Sequence, residues 1–500
     1  MVVNQRTPMK DMVIILPGIL GSVLQKDGKD LWNVSGQAIW QIVKSLGNRL
    51  QDLKLEGDDP NVEDLGDGIK ATKLIADTHL IPGLWKIDGY TKTSQLITKN
   101  FEVTEGDIYN DPEEQAANFY HFPYDWRRDN RANANILKRL LDKRLYQWRK
   151  SSLERKDAKV ILLAHSMGGL ISRYYLEVLG GWQDCRALFT FGTPYRGSVN
   201  AVNFLANGYK KLFLDLTEVM RSLTSVYQLM PIYEMLNING QFYRIAESPI
   251  ELPHIVKTKA EAALNFHREI EEGVKSNKKE EKYRDFFITV PIVGINQTTL
   301  QSAKLINGQI KVIEELKKDR SNIQDFPPIV QNNISLAEGD GTVPELSAYP
   351  PEFTSQQILI ASSIAEKHGS LQNQRQILTD LLQRLQNSQF DLRVARGRGQ
   401  KAIDLTLEDL YFADEPIIIK AKETGISASN KLKAEITCVS EERETIHLDF
   451  QGEEQEWELE VKNLQPGLYR IKVEAENSSN SPTTPVNDLF EVGNKSDYQI

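Results

Sequence analysis

The sequence contains little of what marks membrane-spanning or disulfide-stabilised proteins. Its apolar runs are short and interrupted, so none reaches the roughly 18–20 residues that a membrane-spanning helix needs. Its two cysteines, Cys185 and Cys438, lie far apart in the chain, which argues against a disulfide framework or a zinc site and fits a reducing compartment. Residues 1–10 lack the apolar core of a signal peptide. We therefore expect a cytoplasmic protein, with peripheral binding at membranes left open.

Positive charge is also scarce, and the negative charge is concentrated at one end. The net charge is −9. Residues 405–500 carry 9 Lys and Arg against 20 Asp and Glu, so they account for −11 and residues 1–404 for about +2. Nucleic-acid binders need a concentrated basic surface, so this class is excluded. The length of 500 residues and the hydrophobic content of 40% suit one large globular domain and a smaller one.

Short apolar runs alternate with helical patterns over the first part of the chain. Residues 12–16, 160–164 and 187–191 predict buried strands, and residues 134–149 and 167–179 predict amphipathic helices. Strands that alternate with helices in this way predict a parallel sheet with helices on both faces. The sequence therefore predicts an α/β fold.

Two insertions interrupt this pattern, at about residues 22–110 and 201–284. The pattern in the second insertion is helical and includes a helix predicted at 210–223, so we expect a helical cap. The catalytic domain as a whole is predicted to span residues 1–395. Its remaining elements are two strands and a closing amphipathic helix, predicted at 286–293, 357–361 and 371–385.

Beyond a linker at about 394–400, apolar residues recur at every second position. Apolar and polar residues alternate in the runs 446–450, 457–461 and 469–473. Short strands of this kind predict a C-terminal all-β sandwich, immunoglobulin-like, over residues 404–500. The residues leave open whether this domain binds a protein partner or is a structural brace.

The segment Ala-His-Ser-Met-Gly-Gly at 164–169 lies between a predicted strand and a predicted helix. A nucleophile elbow needs small residues two positions before and after its serine, because larger side chains would clash in so tight a turn. Ala164 and Gly168 meet this requirement around Ser166. We predict Ser166 to be a catalytic nucleophile. The alternative is a serine in an ordinary buried turn.

The catalytic base is found by elimination, because the chain has only seven histidines. A triad in this fold follows the order serine, acid, histidine. His79, His121 and His165 precede the serine, and His165 should point away from it because side chains alternate at an elbow. Two further histidines lie in the cap insertion and one in the β domain. His368 remains, in the loop before the closing helix; the alternative is a helix-capping or chance histidine.

The acid of the triad is predicted to be Asp340, which lies 28 residues before His368 in the sequence Gly-Asp-Gly. The flanking glycines let the loop bring a carboxylate close to an imidazole. Asp340 would accept the second N–H of the histidine and stabilise the imidazolium. Gly-Asp-Gly is also a common turn sequence, so an ordinary turn is the alternative.

Acyl transfer also needs an oxyanion hole. One donor is predicted to be the N–H of Met167, directly after the nucleophile, and the other that of Ile19 in the loop 17–22. Gly18 and Gly21 would let this backbone approach the site. A simple strand-ending turn would explain Pro-Gly but not both glycines.

These motifs together resemble the lecithin:cholesterol acyltransferase family, which also contains lysosomal phospholipase A2 and the phospholipid:diacylglycerol acyltransferases. The matching stretches, in chain order, are residues 15–22, 31–32, 124–127, 164–169, 191–198, 339–344 and His368. The resemblance covers roughly residues 12–390. It implies an α/β-hydrolase fold with a helical cap, catalysis on lipid esters by Ser166, Asp340 and His368, and no metal or organic cofactor. It also implies that Trp32 lies in a lipid-contacting lid region.

The chain departs from the family in two respects. Secreted relatives carry a lid disulfide and a signal peptide, and neither is seen in this sequence. The predicted β domain is not part of the family core. The choice of substrate, and whether the acyl group goes to water or to an alcohol, therefore stay open.

We expect a serine-dependent lipid acyl hydrolase or O-acyltransferase that acts on phospholipid or neutral lipid esters, at a membrane surface or in solution. The alternatives are a soluble carboxylesterase or thioesterase, and a protein-interaction module on a hydrolase scaffold. An acyl groove would be lined by apolar side chains, each of which could equally be ordinary core. The residues predicted for this groove are Trp32, Trp40, Leu212, Leu216, Tyr227 and Met230.

Overall fold

The computed structural model of the chain describes two folded parts, an α/β domain and a C-terminal β-sandwich. Among the described residues, no helix is both long enough and apolar enough to cross a membrane. Trp40, Leu212 and the predicted linker at 394–400 lie outside the described residues. The structure describes residues 6–33, 47–75, 79–81, 85–211, 214–283, 288–314, 316, 320–354, 358, 361–386, 402–424, 431–453, 456–476 and 485–495.

A seven-stranded parallel sheet forms the centre of the α/β domain, which confirms the predicted fold class. Its strands lie in the order β7-β6-β5-β4-β1-β3-β2, and each neighbouring pair is parallel. Every residue of β1 and β4 is buried, because helices cover both faces, and these strands are therefore uninterrupted apolar runs. The strands β1–β7 are Met12–Leu16, Glu105–Asp107, Phe119–His121, Val160–His165, Cys185–Phe191, Ile288–Ile295 and Ser362–Ala365.

The helices include the two that the sequence predicted around the central strands. The helix after β3 begins at Asn130 and is capped by the preceding residue, Asp129. The carboxylate of Asp129 accepts a hydrogen bond from the backbone N–H of Arg131. Among the described residues the α-helices, α1–α9 in chain order, are Thr91–Asn100, Asn130–Lys150, Met167–Glu177, Val199–Asn207, Thr217–Ser222, Thr224–Gln228, Lys257–Asn277, Pro328–Asn332 and Arg375–Gln386.

Small antiparallel and mixed sheets accompany the helices of the insertions, and the sequence did not predict them. A three-stranded sheet formed by Lys29–Trp32, Ser22–Lys26 and Ile69–Leu74 follows β1. Further short pairs join Thr7–Pro8 to Phe101–Glu102 and His79–Ile81 to Trp85–Ile87. The cap contains a four-stranded sheet, in the order Gln241–Tyr243, Leu236–Ile238, Ser302–Ile306 and Gln309–Ile313.

The single helix predicted at 210–223 is wrong. Lys210–Lys211 pairs with Leu214–Asp215 as a hairpin, and only Thr217–Ser222 is helical. The carboxylate of Asp215 accepts a hydrogen bond from the N–H of Thr217, and the Thr217 hydroxyl donates to the carbonyl of Tyr209. These local bonds between side chains and backbone close the hairpin and compete with a continuous helix.

The last strand and the closing helix also begin later than predicted. Strand β7 is Ser362–Ala365, not 357–361, because the register with β6 pairs Ile292 with Ser362. A short 3-10 helix, His368–Asn373, precedes the closing helix, which begins at Arg375. The side-chain oxygen of Gln374 accepts a hydrogen bond from the N–H of Ile377 and fixes this start.

The C-terminal part is an all-β sandwich, as predicted, with two facing sheets. Buried residues alternate with partly buried ones in Leu432–Cys438 and with exposed ones in Glu456–Val461, because one face packs inward. One sheet has the order Ala402–Thr406, Ile417–Thr424, Glu456–Val461, Gln451–Glu453. The other has the order Leu410–Phe412, Val486–Gly493, Gly467–Ala475, Leu432–Cys438, Ile446–Asp449.

Candidate active site

Ser166 lies at a sharp turn between β4 and α3. Its φ of +51° and ψ of −122° are sparsely populated for a non-glycine residue. A Cβ added at Gly168 would lie 2.5 Å from the carbonyl oxygen of Pro17, so the start of the helix packs too closely for any larger residue. This is the close approach that the elbow pattern predicted.

Residues at the end of β5 and just after it are hydrogen-bonded to this turn. The N–H of Ser166 donates to the carbonyl of Phe191 over 2.9 Å, and the hydroxyl of Thr193 donates to the carbonyl of Ser166 over 2.9 Å. Gly192 adopts a φ of +58°, and a Cβ there would lie 2.8 Å from Nδ1 of His368. The Phe-Gly-Thr sequence therefore packs directly against both the serine and the histidine.

The structure brings Ser166, His368 and Asp340 into one hydrogen-bonded chain. Nε2 of His368 lies 3.0 Å from Oγ of Ser166, and Nδ1 lies 2.7 Å from Oδ2 of Asp340. All three residues are buried, with exposed fractions of 3%, 4% and 1% for Ser166, His368 and Asp340. An imidazole placed between a hydroxyl and a carboxylate can take the hydroxyl proton while the carboxylate stabilises the imidazolium.

The carboxylate of Asp340 is fixed by its own loop. Its second oxygen, Oδ1, accepts hydrogen bonds from the N–H groups of Thr342 at 2.9 Å and Val343 at 2.7 Å. The backbone N–H of His368 donates to the carbonyl of Asp340 over 2.9 Å. The acid and the histidine are therefore joined by a backbone bond as well as by their side chains.

The predicted oxyanion-hole residues, Ile19 and Met167, both lie next to Ser166. Ile19 lines the same small cavity as Ser166, and Met167 is the first residue of α3, where an N–H has no acceptor within the helix. The loop that carries Ile19 is held by Tyr124, whose hydroxyl donates to the carbonyl of Pro17 over 2.7 Å. Both residues thus lie beside Ser166.

The Tyr-Asp-Trp-Arg sequence at 124–127 explains why this loop is rigid. The indole N–H of Trp126 donates to the carbonyl of Ser22 over 3.1 Å. The Arg127 side chain is fully buried and pairs with Asp125 at 2.6 Å and Asp67 at 2.8 Å. The motif therefore anchors the loop after β1 to the start of α2 and to the first insertion.

The cavity at Ser166 is small in this structure. Its volume is about 40 Å³, whereas pockets for drug-sized ligands measure roughly 300–1,000 Å³. An acyl chain can enter only if cap side chains move. The cavity is lined by Ile19, Leu20, Ser166, Pro194, Ser198, Asn200, Ala201, Phe204, Met220, Val226, Leu229, Thr342 and Val343.

The predicted groove residues that the structure describes do not line this cavity. Leu216, Tyr227 and Met230 are buried within the cap, and their neighbours Met220, Val226, Leu229 and Phe204 face the serine instead. Periodicity predicted a helical cap without showing which of its apolar side chains line the cavity at Ser166. Trp40 and Leu212 lie outside the described residues.

Trp32 is a core residue in this structure. It is 4% exposed, its indole N–H donates to the carbonyl of Leu20 over 3.0 Å, and its ring packs edge-on against Trp126 at 5.4 Å. Trp32 is thus hydrogen-bonded to the loop 17–22, which carries Ile19. That Trp32 lies in a lipid-contacting lid region stays a prediction.

Tyr90 and His165 form a buried connection that sequence reasoning did not find. The hydroxyl of Tyr90 accepts a hydrogen bond from the N–H of Gly18 at 2.8 Å and lies 3.0 Å from Nδ1 of His165. Nε2 of His165 lies 3.1 Å from the carbonyl oxygen of His368. A carbonyl only accepts, so Nε2 carries the proton and Nδ1 accepts from Tyr90.

This connection joins the loop of Ile19 to the backbone of His368. Burial, together with the nearby His368, lowers the pKa of His165 to about 3, so its ring stays neutral and keeps this tautomer. His165 points away from Ser166, as predicted from alternation at the elbow. No sequence signal identifies Tyr90, because its position depends on the fold of the first insertion.

A larger cavity of about 700 Å³ lies away from the serine, between the β7 side of the sheet and the sandwich. Its lining includes Asn373, Arg375, Lys472 and Asn487. Within the described ranges, no group of three or more His, Cys, Asp or Glu side chains is arranged to hold a metal ion.

Comparison with known proteins gives a family match over part of the chain. Residues 112–305 match the model of the lecithin:cholesterol acyltransferase family, which confirms the resemblance found in the motifs. The matched range contains Ser166. A search of curated proteins gives no match.

Solved structures give distant similarities. Lipase BlEst2 of Bacillus licheniformis in its propeptide form is 11% identical, with a TM-score of 0.30, over 98% of this chain and 95% of the lipase chain. Its mature form is 13% identical, with a TM-score of 0.29, over 76% and 95%. A CARDB domain from Pyrococcus furiosus is 12% identical, with a TM-score of 0.14, over 19% and 88%.

Proposed function

We propose that this chain, part of which matches the lecithin:cholesterol acyltransferase family, is a serine-dependent lipid acyl hydrolase or O-acyltransferase. It would act on ester-linked acyl chains of phospholipids or neutral lipids through an acyl-enzyme on Ser166. The family match supports the lipid class of substrate. The observation that carries the mechanism is the hydrogen-bonded chain from Ser166 through His368 to Asp340.

The first half of the reaction forms the acyl-enzyme. Nε2 of His368 accepts the proton of the Ser166 hydroxyl as Oγ attacks the carbonyl carbon of the ester. Asp340 remains ionised and stabilises the imidazolium through Nδ1–H. The tetrahedral intermediate then collapses, the bond to the alcohol oxygen breaks, and the imidazolium returns its proton to the leaving alcohol.

The second half releases the acyl group. Water or an acceptor alcohol loses a proton to His368 and attacks the acyl carbonyl, and the Ser166 hydroxyl is regenerated. In both halves the negative oxygen would be stabilised by the N–H groups of Ile19 and Met167. The hydrogen bonds that hold the loop of Ile19 fix the position of the first donor before substrate binds.

The apolar lining of the small cavity is consistent with the binding of an apolar acyl group. Side chains such as Leu20, Phe204, Met220 and Val226 surround the serine. Burying an acyl chain among them would gain about 0.8 kcal/mol per methylene. Because the cavity is small in this structure, binding an acyl chain would require cap side chains to move.

The proposal is tested by hydrolysis of phospholipid vesicles and of p-nitrophenyl esters of increasing chain length. We expect vesicle hydrolysis and a preference for long chains. Ser166→Ala should lower kcat by roughly 10⁴-fold or more. Activity on short soluble esters alone would favour a carboxylesterase or thioesterase, and a folded protein inactive on every ester would favour an interaction module.

Hydrolase and transferase activity are separated by the products. Mixed phospholipids are incubated with and without a long-chain alcohol, and the lipid products are identified by mass spectrometry. New alcohol esters that disappear in Ser166→Ala would identify an acyltransferase. Free fatty acid alone, with the alcohol present, would identify a hydrolase.

A further inference from the structure

The C-terminal sandwich contacts the α/β domain beside the loops that carry the triad acid and histidine. Its first strand, Ala402–Thr406, lies against the segment that follows β6, and its last strand, Val486–Gly493, lies against the end of β7. Each contact is formed by specific polar groups. The two contacts are therefore considered separately.

On the acid side, Gln297 connects the sandwich to the loop of Asp340. The backbone N–H of Gln297 donates to the carbonyl of Gly339 over 3.0 Å, one residue before the acid. Its buried side-chain amide donates to the carbonyl of Ile403 over 2.9 Å. Gln297 thus touches the acid loop through its backbone and the sandwich through its side chain.

The next residue makes a second contact with the same strand. The hydroxyl of Thr298 donates to Oδ2 of Asp404 over 2.7 Å, and its N–H lies 3.3 Å from Oδ1. Asp404 therefore receives two hydrogen bonds from one residue. This pairing fixes the segment 297–298 against the sandwich.

On the histidine side, the connection runs through Glu366, two residues before His368. Its carboxylate is fully buried and accepts hydrogen bonds from the N–H and the side-chain amide of Asn487, at 3.0 Å and 2.9 Å. It also accepts from the N–H of Lys367 at 2.9 Å. Burial raises the pKa of Glu366 to about 8, against the opposing effect of the Asn487 bonds.

A third contact supports the residues just after the histidine. Arg470 of the sandwich forms an ion pair with Asp88. The N–H of Asp88 donates to the carbonyl of Gly369 over 2.9 Å, and its carbonyl accepts from the side-chain amide of Asn373. The 3-10 turn that begins at His368 is therefore tied to the sandwich through Asp88.

We propose that the sandwich positions the triad, with Asn487 acting on the histidine loop through Glu366 and Asp404 acting on the acid loop through Thr298 and Gln297. This inference rests on the proposed function of the triad. Catalytic geometry must be held within about 0.5 Å, and loops reach that precision only when neighbouring groups support them. Asn487 and Asp404 are positioning residues, since neither touches the reacting atoms.

The test uses the full-length chain and two variants, Asn487→Leu and Asp404→Ala. Each removes one contact and leaves the triad residues in place. Reaction with a fluorophosphonate reports the serine–histidine pair without requiring lipid binding, and ester kinetics give kcat and KM separately. We expect each variant to lose about 10- to 100-fold in phosphonylation rate and kcat, with KM unchanged, because small misplacements of reacting groups cost up to about 10² in rate.

The matched control is Arg443→Ala, which removes a guanidinium bonded to the Tyr469 hydroxyl and to the Pro466 carbonyl within the sandwich. This variant should destabilise the sandwich slightly while rates stay within about twofold of wild type. All proteins are compared well below their melting temperatures, with circular dichroism as the check of folding. Asp404→Ala, at a partly exposed site, keeps the test decisive if Asn487→Leu folds poorly.

Two outcomes would overturn the inference. The first is wild-type phosphonylation and kcat in a folded Asp404→Ala or Asn487→Leu protein. The second is a loss of rate in Arg443→Ala as well, with the loss in each variant proportional to its loss of stability. A wild-type protein that neither reacts with the probe nor cleaves esters would instead contradict the proposed function itself.

Discussion

The parallel sheet and the C-terminal sandwich bury their strands in different ways. In β4 all six residues are buried, whereas buried and exposed residues alternate along Glu456–Val461 of the sandwich. Helices cover both faces of the central strands of the first sheet, whereas the outward side chains of Glu456–Val461 are exposed to solvent. The parallel sheet carries the candidate chemistry at the carboxyl ends of its strands, and the sandwich supports the same loops from outside.

The largest expected effect distinguishes the two parts by function. Asp340→Ala removes the carboxylate that accepts from His368, so kcat should fall by about 10³- to 10⁴-fold. Asp449→Ala removes a sandwich carboxylate that pairs with Lys431 on the surface and should leave kcat within about twofold. Ester kinetics on both purified variants measure the contrast. Equal kcat values in the two variants would contradict it.

The next effect distinguishes the parts by packing. Leu162→Ala and Leu163→Ala, at neighbouring buried positions of β4, should each lower the free energy of unfolding by about 2–5 kcal/mol. In the sandwich, Leu459→Ala should cost a similar amount, and the exposed Glu458→Ala should change it by no more than about 0.5 kcal/mol.

Urea denaturation, with the transition of each part fitted separately, measures these four values. A large cost for Glu458→Ala would mean that the outer face of the sandwich is also buried. A negligible cost for either leucine of β4 would mean that one face of the parallel sheet is open.

A smaller effect is expected from the buried connection behind the triad. Tyr90→Phe leaves the N–H of Gly18 and Nδ1 of His165 without their hydroxyl partner, which should cost about 1–3 kcal/mol in stability. It should also lower kcat, though by less than Asp340→Ala does. The control is Tyr411→Phe in the sandwich, whose hydroxyl donates to the carbonyl of Ile418. An unchanged kcat in a folded Tyr90→Phe protein would refute the connection.

The last effect concerns the junction of the two parts and depends on pH. The pKa of Glu366 is raised in the folded protein to about 8, so the stability associated with its proton is complete below about pH 4.5 and is lost as pH rises through 8. Over this interval wild type should lose at most about 1.4 kcal/mol per pH unit relative to Glu366→Gln. Urea denaturation of both proteins from pH 5 to 9 measures the difference. Parallel curves of unfolding free energy against pH would mean that the pKa of Glu366 is the same in the folded and unfolded protein, which would contradict the prediction.

The sequence predicted the elements whose local pattern determines their structure. The buried runs of β1, β4 and β5 and the alternating strands of the sandwich are confirmed, because burial on two faces or on one leaves a direct pattern in the residues. The residues 210–223 were predicted as one helix, and this was wrong because hydrogen bonds at Asp215 and Thr217 close a hairpin that apolar spacing does not reveal.

The candidate site was predictable in part, for a similar reason. Ser166 and Asp340 each lie in a short motif, and His368 was chosen by elimination from the order of residues in the chain. The side chains that face the serine, such as Phe204 and Leu229, depend on how the cap packs, and Tyr90 depends on the fold of an insertion. The contact of Asn487 with Glu366 joins residues 121 positions apart, which no local pattern records.

The central claim is that Ser166 is an activated nucleophile. The most direct measurement is reaction of the folded protein with a fluorophosphonate, followed by peptide mapping by mass spectrometry. The claim predicts one adduct, located on Ser166, that is absent from Ser166→Ala and from urea-unfolded protein. A folded wild-type protein with no adduct, or with its adduct on another residue, would contradict it.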